Sequence, residues 1–156
     1  MLVRVATMSA LLVVCKLALA FAPNIEVVTT LTMVFGSLYG YCTLVATTVF
    51  CIADMIIYPF SIDVAISYII YWNLLALISA IIGKRTHLTW VYIIVGAIGT
   101  VVFHLITSTA YVIVFRTAFL PTLLASVPFC IVQIVSTTAF TLVGYRPLYQ
   151  VLMRFK

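Results

Sequence analysis

Apolar residues run almost unbroken through this chain, and the rare polar positions mark where the runs stop. Residues 64–83, 86–115 and 117–145 contain no Lys, Arg, Asp or Glu. A helix that crosses a bilayer needs about 20 mainly apolar residues, so each of these stretches predicts one span. Residues 5–22 predict another, closed by Pro23-Asn24, where the chain must turn. The alternation of apolar and polar positions that a membrane β-barrel needs is absent, so helices are expected throughout.

The stretch from residue 25 to 58 fits either one long tilted helix or two short ones. Charge decides between them. Arg4 and Lys84-Arg85 both belong on the cytoplasmic side of a membrane, which requires an even number of crossings between them. One helix in the stretch gives three crossings and two give four. The split falls near Gly36–Gly40, where paired glycines favour a turn. Six helices follow, at residues 5–22, 25–38, 40–58, 63–82, 87–115 and 121–145. The second is short for a full span and is either tilted or stops before the far surface. The predicted fold class is all-α: a single polytopic domain over residues 1–156, with six transmembrane helices and both termini cytoplasmic. Arg4, Lys84, Arg85, Arg146, Arg154 and Lys156 then face inward, and Glu26, Asp63 and Arg116 face outward.

Composition supports this picture. Hydrophobic residues make up 66% of the 156 positions and charged residues 7%. A soluble domain carries roughly 25% charge, and one this small could not hide so much apolar surface from water. The net charge of +5 comes from cations scattered at segment ends, which fits membrane topology and not nucleic-acid binding. Cys15, Cys42, Cys51 and Cys130 all lie in apolar runs without a C-x-x-C pair and read as small packing residues. Arg4, the following run and Ala20-Phe21-Ala22 imitate a secretory signal, but Lys16 interrupts the run and further spans follow, so the segment is read as the first helix.

Polar groups inside a bilayer are costly, which makes each a functional candidate. Asn73, His104 and Gln133 lie at matching depth on consecutive helices, roughly 15–18 Å below the outer surface at 1.5 Å rise per residue. They either line a common cavity or hydrogen-bond helices together. Nearer the outside are Asn24, Glu26 and Asp54, with Tyr68, Tyr71 and Trp72 on the fourth helix and Thr107, Ser108 and Tyr111 on the fifth. Such a group suits a flat heterocyclic ligand, although an interfacial aromatic belt would also place tyrosines here. Lys16 is expected to snorkel outward, with pairing to Glu26 or Asp54 as the alternative. His87, beside Lys84-Arg85, reads as solvated. Small residues four apart, Ala6 and Ala10, Ala18 and Ala22, Ala76 and Ala80, allow close helix approach.

No phosphate-binding loop, H-E-x-x-H motif or nucleophile elbow occurs, and three acidic residues offer little to an ion-coupled pump. No enzymatic activity, cofactor or metal is expected. The rival readings are a self-sufficient small-solute transporter or channel and a membrane enzyme using His104 with Asp54.

Six spans with both ends inside, Ala6-x-x-x-Ala10 on the first helix, Phe21-Ala22-Pro23-Asn24-Ile25-Glu26 opening into Val27-Val28-Thr29, and a short second helix ending at Phe35-Gly36 together carry a resemblance. The chain resembles the substrate-binding S component of energy-coupling-factor (ECF) vitamin transporters, over essentially its whole length and through architecture, not one tight motif. The resemblance implies a multi-pass protein of the bacterial cytoplasmic membrane that binds a water-soluble vitamin or precursor for ATP-driven uptake. An aromatic heterocycle such as hydroxymethylpyrimidine or a pyridoxine-type compound is the expected ligand. It implies partnership with a transmembrane scaffold subunit and two ATPase subunits, with Ala6 and Ala10 as the contact surface. It further implies a ligand pocket drawn from Asn24, Glu26, Trp72, Asn73, His104, Ser108 and Gln133. The connection over residues 58–63 is shorter than in many members of that family.

Overall fold

The computed structural model of the chain describes residues 1–22, 24–58 and 61–154. Among these residues are six α-helices: α1 (Leu2–Ala18), α2 (Val28–Tyr39), α3 (Cys42–Ile57), α4 (Ile62–Ile82), α5 (Thr89–Phe115) and α6 (Phe119–Met153). No strand occurs among the described residues. Of these helices α4, α5 and α6 are each long and apolar enough to cross a membrane, while α2 and α3 are shorter apolar helices. The split between α2 and α3 falls at Gly40–Tyr41. Gly40 adopts φ 61°, a conformation open to glycine at little cost.

The short helix is the centre of the molecule. α2 packs against all five other helices, which form an arc α1–α3–α4–α5–α6 around it. Ten of its twelve residues are buried, from Val28 through Gly36 and at Leu38. Twelve residues span about 18 Å, well short of a hydrocarbon core of about 30 Å, so α2 fills only part of the bundle's depth.

Close approach to α4 holds it there. A Cβ on Gly36 would lie 2.6 Å from Ser79 Cβ and 3.0 Å from the Ala76 carbonyl oxygen. Next to it, a Cβ on Gly83 would lie 2.5 Å from Ser37 Cα. Ala76 and Ala80 are therefore packing residues inside the bundle. Small side chains bring helices together in lipid because no hydrophobic effect drives them. The α5–α6 seam uses the same device. Its buried positions recur every fourth residue: Tyr92, Gly96, Thr100, His104 and Ser108 on α5, and Gln133, Thr137, Thr141 and Tyr145 on α6.

Hydroxyls inside the bundle mostly satisfy themselves on their own helix or across a seam. Thr100 donates to the Gly96 carbonyl and Ser67 to the Asp63 carbonyl. Thr30 and Thr141 join α2 to α6 at 2.9 Å, and the Tyr145 hydroxyl donates to Ser37. Ser9 reaches the Ala46 carbonyl and so joins α1 to α3.

Two boundaries differ from the sequence expectation. α1 ends at Ala18, not residue 22, because the chain turns inward early to enter α2 at the bundle centre. Pro23, where the turn was expected, lies outside the described residues. α6 runs past Tyr145 and through Pro147 to Met153. Leu148, Tyr149 and Leu152 pack on the core there, and the Tyr149 ring meets the His87 ring at 4.6 Å, tilted by 36°. These contacts hold the last turns in helix despite the backbone bond that proline removes. His87 is exposed, as expected, with this ring as its neighbour. Lys156 lies outside the described residues.

Packing also fixes which ends lie together. Lys84 donates to the Tyr41 hydroxyl and sits 4.8 Å from its ring, and Arg4 lies 5.8 Å from the Tyr39 ring. The start of α1, the α2–α3 turn, the α4–α5 turn and the end of α6 therefore share one end. Among the described residues this end holds Arg4, Lys84, Arg85, Arg146 and Arg154 and no acidic group; Glu26, Asp54 and Asp63 are all toward the other.

Gly36→Val should lower stability in detergent by about 1–3 kcal/mol through overpacking, read as the shift of the thermal unfolding midpoint. Gly99→Ala, whose Cβ would meet only ordinary contacts at 3.6 Å, should leave it near wild type.

Candidate functional site

The space that α2 does not fill is a cavity of about 300 Å³ at its N-terminal end. Its walls come from the end of α1 (Cys15, Lys16), the α1–α2 connection (Asn24 to Val27), Tyr68 and Trp72 of α4, Phe103 and His104 of α5, and Gln133 of α6. Asn24 adopts φ 64°, a left-handed conformation that asparagine tolerates better than most residues, and so turns the chain as well as lining the cavity. The connection is pinned from behind: the Glu26 amide donates to Ser136 Oγ of α6 at 3.0 Å.

Three polar groups form a relay along the wall. His104 Nε2 lies 3.0 Å from Gln133 Oε1. An amide oxygen only accepts, so as oriented the imidazole donates from Nε2. Thr29 Oγ1 donates to the Glu26 carboxylate at 3.4 Å, and the Gln133 side chain is near enough to favour its charged form. Burial raises the Glu26 carboxyl above its ordinary range, opposed by the Lys16 charge, by Gln133 and by the Thr29 hydrogen bond.

Beside the relay is an ion pair. Lys16 Nζ of α1 lies 2.5 Å from Asp54 Oδ2 of α3 and donates to the Tyr68 hydroxyl of α4 at 3.2 Å. The ammonium also sits 4.3 Å from the centre of the Tyr68 ring. Lys16 therefore does not snorkel outward: a carboxylate at the same depth on the neighbouring helix holds it inside, and the alternative pairing with Asp54 is the one formed. The aromatic wall is continuous, with Trp72 against Phe50, Tyr68 and Tyr71 at 5.6, 6.3 and 4.9 Å and Phe103 against Tyr68 at 5.8 Å.

Of the seven residues expected to bind a ligand, Asn24, Glu26, Trp72, His104 and Gln133 line this one cavity. Asn73 does not. It faces α3, where its Oδ1 lies 3.2 and 3.1 Å from the Thr47 and Thr48 hydroxyls while its amide donates to the Ile69 carbonyl. Equal depth placed it with His104 and Gln133, but it sits one position round α4 from Trp72, which turns it away from the cavity. Ser108 is buried one turn beyond His104 and is not part of the lining. Ala6 and Ala10 are exposed on the outward face of α1. His104 and Asp54 have separate partners, Gln133 and Lys16.

Comparison with protein-family models, with curated proteins and with solved structures returned no match.

Phe103, Cys15 and Tyr58 line the cavity without having been singled out as ligand contacts. One signal pointed to the ion pair: a lone cation near the end of helix one and a lone acid near the end of helix three, at similar distances from the same end of the bundle. Residues 59 and 60, in the short connection over residues 58–63, lie outside the described residues.

Lys16→Met alone should destabilise the protein by about 3–5 kcal/mol, because it strands a buried Asp54, and Lys16→Met with Asp54→Leu should recover part of that loss in a double-mutant unfolding cycle. Asn73→Leu should cost about 0.6–1.7 kcal/mol of stability in the same unfolding measurement, as expected for a hydrogen bond between helices.

Proposed function

We propose that this chain is the substrate-specific S component of an ECF-type importer, a multi-pass protein of the bacterial cytoplasmic membrane that binds a water-soluble vitamin or precursor at its outer face. The observation that carries the reading is the cavity: the connection after α1 and the walls of α4, α5 and α6 converge on one polar and aromatic site at one end of an apolar bundle. Five of the seven residues that the resemblance implied, Asn24, Glu26, Trp72, His104 and Gln133, line it, and the short central helix is what makes room for it. Ligand sites are concave and mainly apolar, with a few convergent polar groups, and this one has that character.

Charge supports the orientation. Among the described residues, the end opposite the cavity holds four arginines and Lys84 and no acid, which fits a cytoplasmic end by the positive-inside rule. The cavity then opens outward, and both termini are cytoplasmic. In this role Ala6 and Ala10, exposed on α1, offer a flat strip for the transmembrane scaffold subunit that two ATPases drive.

Native mass spectrometry of the protein purified from its host in mild detergent tests the proposal. A retained small molecule together with co-purifying scaffold and ATPase subunits is the expected result, and Ala6→Trp with Ala10→Trp should abolish the co-purification while the small molecule stays. An empty protein without partners, under conditions that keep other membrane complexes intact, contradicts it and favours a self-sufficient transporter.

A further inference from the structure

The cavity's charge and size narrow what it holds. The charged groups of the lining are Lys16 and Glu26, and Asp54 stands behind Lys16 and pairs with it at 2.5 Å. That ion pair is neutral as a whole, so the ionised form of Glu26 is one negative charge in excess. The N-terminus of α2 adjoins the cavity and its dipole adds roughly half a positive charge, which leaves the balance negative. Arg116, the other cation toward this end, is beyond the end of α5 and is not part of the lining.

The hydrogen-bond inventory points the same way. Gln133 is engaged by His104 and stands beside Glu26. An ionised carboxylate offers about four acceptor sites, and Thr29 takes one of those on Glu26. At least two acceptors remain on a carboxylate that lines the cavity. Another part of the wall is aromatic, with Tyr68, Trp72 and Phe103 side by side, and such faces attract cations as well as stacking flat rings. A volume of about 300 Å³ is at the lower end for small-molecule sites, roughly 300–1,000 Å³, and excludes large polycyclic or macrocyclic ligands.

We infer that the cavity selects a small, planar, positively charged ring compound bearing an amidine-like pair of N–H donors, which Glu26 receives in bidentate fashion while the ring rests on the Tyr68–Trp72–Phe103 wall. Carboxylate-bearing solutes are rejected, because they would bring a further negative charge against Glu26. This inference rests on the reading of the cavity as a solute-binding site and adds the chemical class of the solute.

An isosteric charge series tests it on the full-length protein in detergent. Benzamidine, benzamide and benzoate share ring and size but carry a positive, a zero and a negative charge. Trp90 is exposed and far from the cavity, so Trp90→Phe leaves Trp72 as the lone indole, and its fluorescence reports binding. Benzamidine should bind about 10- to 100-fold more tightly than benzamide, the span expected of hydrogen bonds to a charged group, and benzoate more weakly still. Glu26→Gln should bring benzamidine and benzamide to near parity. The wild-type series stands by itself should that variant fail to fold. Equal affinity for benzamidine and benzoate, or a cation preference that survives in folded Glu26→Gln, overturns this inference and leaves the solute-binding reading in place. No fluorescence change with any of the three at millimolar concentration overturns this inference too, and the solute-binding reading then stands or falls by the native mass spectrometry.

Discussion

Everything in this molecule depends on how closely α2 can approach α4. Gly36 has space for a hydrogen and nothing larger against Ser79 and Ala76, and Ser37 lies equally close to Gly83. That contact puts a twelve-residue helix at the centre of a bundle whose later helices run to 21, 27 and 35 residues. A central helix too short for the bundle leaves space above its end. The chain before α2 crosses that space, and the side chains of four surrounding helices face into it. The cavity is thus a direct result of a length mismatch, and the glycine contact fixes where the mismatch falls.

The bundle is held by small and hydroxyl-bearing residues, while its larger aliphatic side chains mostly point outward. Thr29, Thr30, Thr32, Thr43, Thr47, Thr100, Thr137 and Thr141 are all buried, and Ile56, Ile94, Ile98, Ile113, Leu120 and Val143 are exposed. In water this would be an inverted protein. With lipid outside it is reasonable, because packing and hydrogen bonding, not burial of apolar area, bring the helices together. The same chemistry serves the proposed site. His104 and Gln133 continue the α5 and α6 stripes that begin with Tyr92 and Tyr145, so the residues closing the seam at one end become the cavity wall at the other.

The number of helices and the break between α2 and α3 were legible because charge is scarce here. With so few charged residues, parity between Arg4 and Lys84 was informative, and a glycine supplied the turn. The end of α6 was misread because Arg146-Pro147 looks like a stop; only the contacts of Leu148, Tyr149 and Leu152 show why the helix continues. Depth along a helix grouped His104 correctly with Gln133. It could not place Asn73, since depth gives height and not bearing, and a single step of about 100° separates Asn73 from Trp72. Lys16 illustrates the opposite failing: it was judged by its distance from the surface, when a partner at the same height on another helix decided its position.

The central claim is that the cavity opens to the outside, opposite a basic cytoplasmic end. Cysteine accessibility tests it directly. In a chain with Cys15, Cys42, Cys51 and Cys130 replaced by alanine, Ala20→Cys marks the cavity and Thr86→Cys marks the α4–α5 turn at the basic end. A membrane-impermeant maleimide should label Ala20→Cys on intact cells and Thr86→Cys only in inverted vesicles. Labelling of both from the same side, or of Thr86→Cys alone on intact cells, would contradict the account.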